Sequence, residues 1–345
     1  MFIGVGSLMS RKILIIAPAW LGDMIMTHSL VQVLKERFAD ARFDVLAPES
    51  TLTITELMPE FTRRILMPDV HGQFSLRKRW QLARNLKKEN YDLAYVLPNT
   101  WKSALVPFMA RIPCRIGWFG ESRYGLLTRY LKGPERYPQM VQRYVALGFL
   151  EGDFKTDSHF PFPKIEIPLD LRDQTVQKFS LNLERPNVLL SPGAAFGPAK
   201  RWPMEYFIDV ARYFINQGVD VWVIGGPQEV DLISPLAGAV PEIKNFVGKT
   251  TLLEMGALID LSHKVLSNDS GPMHIAAALN KPMIAIFGSS SSQFTPPLSV
   301  NARVLERLDL DCRPCFQREC PLIHFHCLKW IKPAQVIEAL ENIRR

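Results

Sequence analysis

Several features that would sort a chain quickly are missing from this one. No apolar run reaches the roughly 18 residues that a membrane-spanning helix needs, so nothing in its 345 residues reads as a bilayer span. The opening MFIGVGSLMSRK has neither the apolar core nor the cleavage site of a secretory leader. Its Gly4 and Gly6 precede the first apolar run instead of following it, which excludes a dinucleotide-binding turn there. There is no G-x-x-x-x-G-K-[ST] phosphate loop, no H-E-x-x-H helix and no strong D-x-D pair. A bound diphosphate would therefore have its charge met by helix amides and side-chain cations, without an obligatory magnesium ion. Cysteine is scarce and odd in number, five in all, which fits a reducing cytoplasm. A nucleic-acid-binding module, suggested by the net charge of +7, finds no zinc-finger, RNP or basic-helix pattern to carry it.

What is present is ordinary for a soluble enzyme: 47% hydrophobic and 22% charged residues, in a chain long enough for two domains. The basic surplus sits in the first half, whereas residues 171–345 are nearly balanced. That half either meets an anionic partner (a phosphorylated substrate, an anionic membrane surface, nucleic acid) or simply carries a solubilising surface.

Apolar runs alternate with helical periodicity. KILIIAP, RFDVLAP, LAYVLP and RIGWFG read as strands, with MTHSLVQVLKERF and SLRKRWQLARNLKKEN as helices among them. After a proline-rich break the pattern resumes with NVLLSPG, VDVWVIGGP, KVLSND and PMIAIFG as strands. The expected fold class is α/β, with two doubly wound, mostly parallel sheets. The expected domains are residues 1–170, residues 171–332, and a closing helix at 333–345 that packs back on the first domain.

Ligands of open parallel sheets collect beyond the carboxyl ends of the strands, and four segments fall there. Asp23, in APAWLGDMIMT, either caps a helix or faces a cleft and takes a proton. Lys200, in SPGAAFGPAKRWP, either reaches a diphosphate or is a loop cation. Glu229, in GGPQE, either holds a ribose diol or faces a helix dipole. In SNDSGPMHIAAAL, the amides near Ser270 and Gly271 can face an anion, Asp269 can accept from sugar hydroxyls and His274 can donate, or the segment is a plain helix cap. Finally, CRPCFQRECPLIHFHCL brings Cys312, Cys315, Cys320 and Cys327 into one block, which allows a structural zinc, a disulfide or packed thiols.

Taken together, ILIIAPAWLGDMIMTHSL, LLSPGAAFGPAKRWP and SNDSGPMHIAAAL resemble the ADP-heptose:lipopolysaccharide heptosyltransferases, glycosyltransferase family 9. The Cys-rich ending is most similar to the heptosyltransferase II branch. The resemblance implies a GT-B fold, two Rossmann-like domains facing across a cleft, with the acceptor on the N-terminal domain and the ADP-sugar on the C-terminal one. It implies an inverting, metal-independent transfer of L-glycero-D-manno-heptose from ADP-L-glycero-D-manno-heptose to the first heptose of the lipopolysaccharide inner core (heptosyl-Kdo-lipid A), with no cofactor required. Asp23 matches the family's general base, Lys200 its donor-phosphate contact, and Asp269 and His274 its donor contacts. Glu229, Ser270 and Gly271 join the donor set, and Arg77, Lys78, Arg79, Lys102, Arg115 and Arg123 are the acceptor candidates. The expected enzyme is a cytoplasmic monomer, peripheral at the inner membrane, that binds no nucleic acid. Heptosyltransferases I and III, a GT-B nucleotide-sugar epimerase and a basic anionic-surface binding protein are the alternatives.

Overall fold

The run that opens the pattern, KILII, is buried from Ile13 to Ile16, as a strand covered on both faces requires. In the computed structural model, which describes residues 11–68, 75–149 and 154–343, it is the central strand of the first of two units. The opening stretch with Gly4 and Gly6 lies outside the described residues. The units are Met1–Pro161 and Phe162–Arg345. Their division falls earlier than the expected residue 170, because Phe162 and the segment after it belong with the second sheet's helices; Ile165 N, for example, donates to Ala278 O.

In the first unit, strands β1 (Lys12–Ile16), β2 (Arg42–Ala47), β3 (Phe61–Leu66), β4 (Leu93–Val96), β5 (Cys114–Trp118) and β6 (Arg129–Leu131) form one sheet, in the order β3-β2-β1-β4-β5-β6. Every pairing is parallel. Its helices are α1 (Leu21–Arg37), the single turn α2 (Glu49–Leu52), α3 (Leu76–Lys87), α4 (Trp101–Met109) and α5 (Met140–Ala146).

The second unit repeats the plan. Strands β7 (Asn187–Ser191), β8 (Asp220–Val223), β9 (Lys244–Asn245), β10 (Lys264–Asn268), β11 (Met283–Phe287) and β12 (Ala302–Glu306) lie in the order β12-β11-β10-β7-β8-β9, again all parallel. Helices α6 (Leu169–Phe179), α7 (Met204–Asn216), α8 (Val230–Ala239), α9 (Leu252–Leu261), α10 (Gly271–Ala278), α11 (His326–Lys329) and α12 (Pro333–Asn342) flank it. Local signals set the helix starts: Thr251 and Glu254 close a reciprocal capping box at α9. The closing helix α12 spends its apolar face within this unit. Val336, Ala339 and Leu340 join the core beside α7 and β11, where the expectation had been a return to the first domain.

Both sheets thus have the doubly wound order in which the chain reverses direction beside the first strand. The reversals lie between β1 and β4 and between β7 and β10. The segments singled out in the sequence leave the sheets at these places: Asp23 follows β1, the Lys200 loop follows β7, and Asp269 follows β10.

Candidate active site

In the first unit, the question posed by Asp23 resolves through its position on α1. The N-cap is Trp20, which supplies no side-chain cap, and Asp23 lies in the first turn, where the helix dipole favours a carboxylate. Its side chain is half-buried. Thr27 Oγ1 donates to its main-chain oxygen at 2.9 Å. The buried Tyr144 on α5 lies near enough to the Asp23 carboxylate to feel its charge. Burial first, and this carboxylate second, push the phenol well above its ordinary range, so it stays protonated. Nothing in the sequence marks Tyr144; only the packing of α5 on α1 brings it there.

In the second unit, three predicted residues come together. Lys200 Nζ lies 2.5 Å from Asp269 Oδ2, and Asp269 is 3% exposed. Ser290, which the sequence did not flag, donates its hydroxyl to the same carboxylate oxygen. His274 is buried in the field of both charges. Burial lowers its pKa to about 4, with Asp269 opposing the shift and Lys200 adding to it. At neutral pH it is an uncharged imidazole, able to donate one hydrogen bond but not to act as a cation. Ser270 is the N-cap of α10 without a side-chain cap, so the first-turn amides near Gly271 are not closed off by that residue.

Two glycines fit this loop cluster together. Glu229, carried after β8, accepts from Gly226 N at 2.8 Å. It also lies so close to Gly193 that a Cβ there would stand 1.9 Å from Glu229 Oε1. At Gly197, φ is +152°, and a Cβ would stand 2.5 Å from Arg318 O. Ala199 N donates to that oxygen at 3.0 Å, Ser289 N donates to Ala199 O at 3.1 Å, and Phe316 N donates to Ser289 O at 2.8 Å. The Cys-rich segment is therefore a buttress behind the Lys200 loop. Asn268 completes the frame: it accepts from Trp202 N at 3.1 Å and donates to Pro192 O at 2.6 Å, tying the end of β10 to the loop after β7.

The cysteines line one small cavity with His324, and the thiol of Cys327 is pushed up, chiefly by burial. All five cysteines are free. Among the described residues, no group of three or more His, Cys, Asp or Glu side chains is placed to hold a metal ion, so the structural zinc allowed by the spacing has no ligand set.

The acceptor candidates divide by burial. Arg79 is buried and donates to Lys102 O. Arg115 donates to Ile112 O at 2.5 Å and Leu126 O at 2.6 Å, and Arg123 to Pro98 O at 3.0 Å and to Trp118 O. Burial lowers the pKa of both Arg115 and Arg123. These guanidinium groups tie loops together, a use that charge counting does not reveal. Arg77, Lys78 and Lys102 are exposed.

A buried lysine–aspartate pair beside a helix N-terminus lies at one strand reversal and a half-buried carboxylate at the other, an arrangement compatible with group transfer from a sugar nucleotide. The model of the family described as "Glycosyltransferase family 9 (heptosyltransferase)" matches residues 79–326, and the chain belongs to that family. Lipopolysaccharide heptosyltransferase 2 of Escherichia coli K12 is 41% identical over 85% of this chain and 87% of its own length. Lipooligosaccharide heptosyltransferase 2 of Haemophilus ducreyi is 39% identical over 96% and 99%. The solved structure of E. coli ADP-heptose lps heptosyltransferase II superposes with a TM-score of 0.86 at 37% identity, covering 96% of this chain and 98% of that one. Lipopolysaccharide heptosyltransferase 3 of E. coli K12 stands further off, at 27% identity. The fold is accordingly GT-B, two Rossmann-like units.

Proposed function

We propose that this enzyme moves L-glycero-D-manno-heptose from ADP-heptose to the first heptose of the lipopolysaccharide inner core, with inversion at the anomeric carbon. The single observation that carries the reading is the Lys200–Asp269–His274 cluster at the β7/β10 reversal, in a chain 41% identical to the heptosyltransferase 2 of E. coli K12. In an inverting displacement, an acceptor hydroxyl attacks the anomeric carbon while the bond to ADP breaks. Asp23 takes the hydroxyl proton. Lys200 and the first-turn amides of α10 balance the charge arriving on the departing diphosphate. Asp269 holds Lys200 and, with Glu229, accepts from sugar hydroxyls; neutral His274 donates a hydrogen bond. No cofactor or metal enters these steps.

The acceptor is anchored in a bilayer, and the reading places the enzyme, as a monomer, peripherally on the cytoplasmic face of the inner membrane. The face formed by α3 and α4 supports this. Helix α3 has no acidic residue, presents exposed Arg77, Lys78, Arg84 and Lys87, and leaves Trp80 49% exposed with Arg84 stacked over it. Exposed Trp101 and Lys102 continue that face on α4, which packs on α3. Aromatic rings among cations suit an anionic lipid interface. Arg77, Lys78 and Lys102 remain the acceptor-side candidates. The deciding experiment offers ADP-heptose with cores bearing no heptose, one or two. Transfer to the one-heptose core is expected; transfer only to another core assigns the type I or III activity, and no transfer to any core overturns the function.

A further inference from the structure

Four serines follow one another after β11, Ser289 to Ser292, and the hydroxyls of the last three have different uses. Ser291 Oγ accepts from Gln293 N at 3.2 Å and shapes the turn. Ser292 Oγ donates to Glu306. Ser290 reaches into the donor cluster. It is 2% exposed, and its Oγ lies 2.5 Å from Asp269 Oδ2, the oxygen that also receives Lys200 Nζ.

The loop that carries Ser290 is fixed from two directions. Arg313, its side chain 4% exposed, donates to Gly288 O at 2.6 Å and to Ser290 O at 3.0 Å, and pairs with Glu306 at 2.9 Å. On the other side, Ser289 N donates to Ala199 O at 3.1 Å. At Gly288 a Cβ would stand 2.5 Å from the same Ala199 oxygen, so the loop lies directly against the main chain beside Lys200. The Ser290 hydroxyl is therefore presented to Asp269 from a main chain whose anchors do not involve the Lys200 side chain.

A carboxylate as deep as Asp269 needs a cation or hydrogen-bond donors around it. Without a ligand, Lys200 is that cation. A diphosphate that draws Lys200 toward itself leaves Asp269 buried with its counter-ion withdrawn, and this cost opposes binding. A hydroxyl on the same oxygen stays in place through the exchange, as a charge-assisted bond that no longer competes with the ammonium. We propose that Ser290 is a positioning residue for donor binding: by keeping a fixed hydrogen-bond donor on Asp269, it lets Lys200 turn from the carboxylate to the phosphates at a smaller cost. Ser290 acts through Asp269 and Lys200, and the inference rests on the reading of this cluster as the ADP-sugar site.

The test measures binding of ADP and of adenosine by calorimetry to wild type, Ser290→Ala, Ser291→Ala and Lys200→Ala. The exchange is driven by phosphate charge. Ser290→Ala should therefore weaken ADP binding about tenfold, within the usual weight of a hydrogen bond to a charged group, and leave adenosine binding unchanged. A hydroxyl that only shaped the pocket would weaken both ligands alike. Ser291→Ala alters the same loop at a hydroxyl spent on Gln293 N, and should bind ADP as the wild type does. KM for ADP-heptose should rise in Ser290→Ala with little change in kcat, as loss of uniform binding requires. If Ser290→Ala does not fold, Ser290→Cys, of nearly the same shape and a weak donor, carries the same comparison with a smaller loss. A Ser290→Ala protein that binds ADP as the wild type does, that loses ADP and adenosine alike, or that is matched by Ser291→Ala overturns the positioning role; weakened ADP binding by Lys200→Ala then leaves the donor site standing. Wild-type ADP binding by Lys200→Ala overturns the donor-site reading and the positioning role with it.

Discussion

The two units share one strand order and place their chemistry at the same topological point, yet the two sites are built oppositely. At β7/β10 a cation and an anion meet in a buried, crowded cluster: Lys200 on Asp269, Ser290 on the same oxygen, His274 behind them. At β1 a half-buried carboxylate lies beside a buried, neutral phenol. The first arrangement suits a charged ligand whose phosphates can exchange with Asp269 for Lys200. The second suits a proton acceptor. The topology supplies the place, and the side chains supply the task.

That contrast can be broken from either side. The largest effect is expected for Asp23→Ala, which should lower kcat by about 10²- to 10⁴-fold, the usual contribution of a positioned general base, with donor binding intact. Lys200→Ala should cost about 10²- to 10³-fold in kcat, as removal of one charge-stabilising donor does, and should also weaken donor binding in calorimetry. It also leaves Asp269 buried without its cation, so a fall in Tm is expected. Gly193→Ala drives a Cβ into Glu229. It should raise KM for ADP-heptose several-fold with a smaller change in kcat, since a displaced binding group is lost in ground and transition states alike.

His274 supplies a pH-dependent effect on stability. Its pKa in the folded protein, about 4, lies below the ordinary 6.5, so between those values the unfolded chain binds a proton that the folded one does not. Stability contributed by the neutral ring is complete above pH 6.5 and is lost as pH falls toward 4, by on the order of 3 kcal/mol at most. His274→Gln should flatten the Tm-versus-pH curve in that window and leave its slope above pH 7 unchanged. The smallest effect on catalysis is expected at the α3/α4 face. Trp80→Ser with Arg84→Ala should leave transfer to a soluble core unchanged while lowering sedimentation with phosphatidylglycerol vesicles. Unchanged vesicle binding would remove the support for membrane contact there.

Central strands were legible because burial on both faces writes them as unbroken apolar runs: KILII, NVLLS and MIAIF needed no tertiary information. The outer strands were not read. Phe61–Leu66, Arg129–Leu131, Lys244–Asn245 and Ala302–Glu306 are short or carry charges along an exposed side, as sheet edges do. The Lys200–Asp269–His274 cluster was legible as a candidate because its parts lie in the segments that follow strands β7 and β10. Tyr144 was not, since it comes near Asp23 only where α5 packs on α1. Arg79, Arg115 and Arg123 were acceptor candidates on charge alone, because a sequence gives charge but not the carbonyls to which these guanidinium groups donate. The Cys block allowed a structural zinc, a disulfide or packed thiols, and its spacing gave no sign that its backbone serves the Lys200 loop through Arg318 and Phe316.

The division of labour between the two units is tested most directly by measuring ADP-heptose binding and heptose transfer on the same preparations of Asp23→Ala and Lys200→Ala. The account predicts that Asp23→Ala binds the donor as the wild type does and transfers almost nothing, while Lys200→Ala loses both. An Asp23→Ala enzyme that turns over normally, or a Lys200→Ala enzyme that binds ADP-heptose with wild-type affinity, would contradict it.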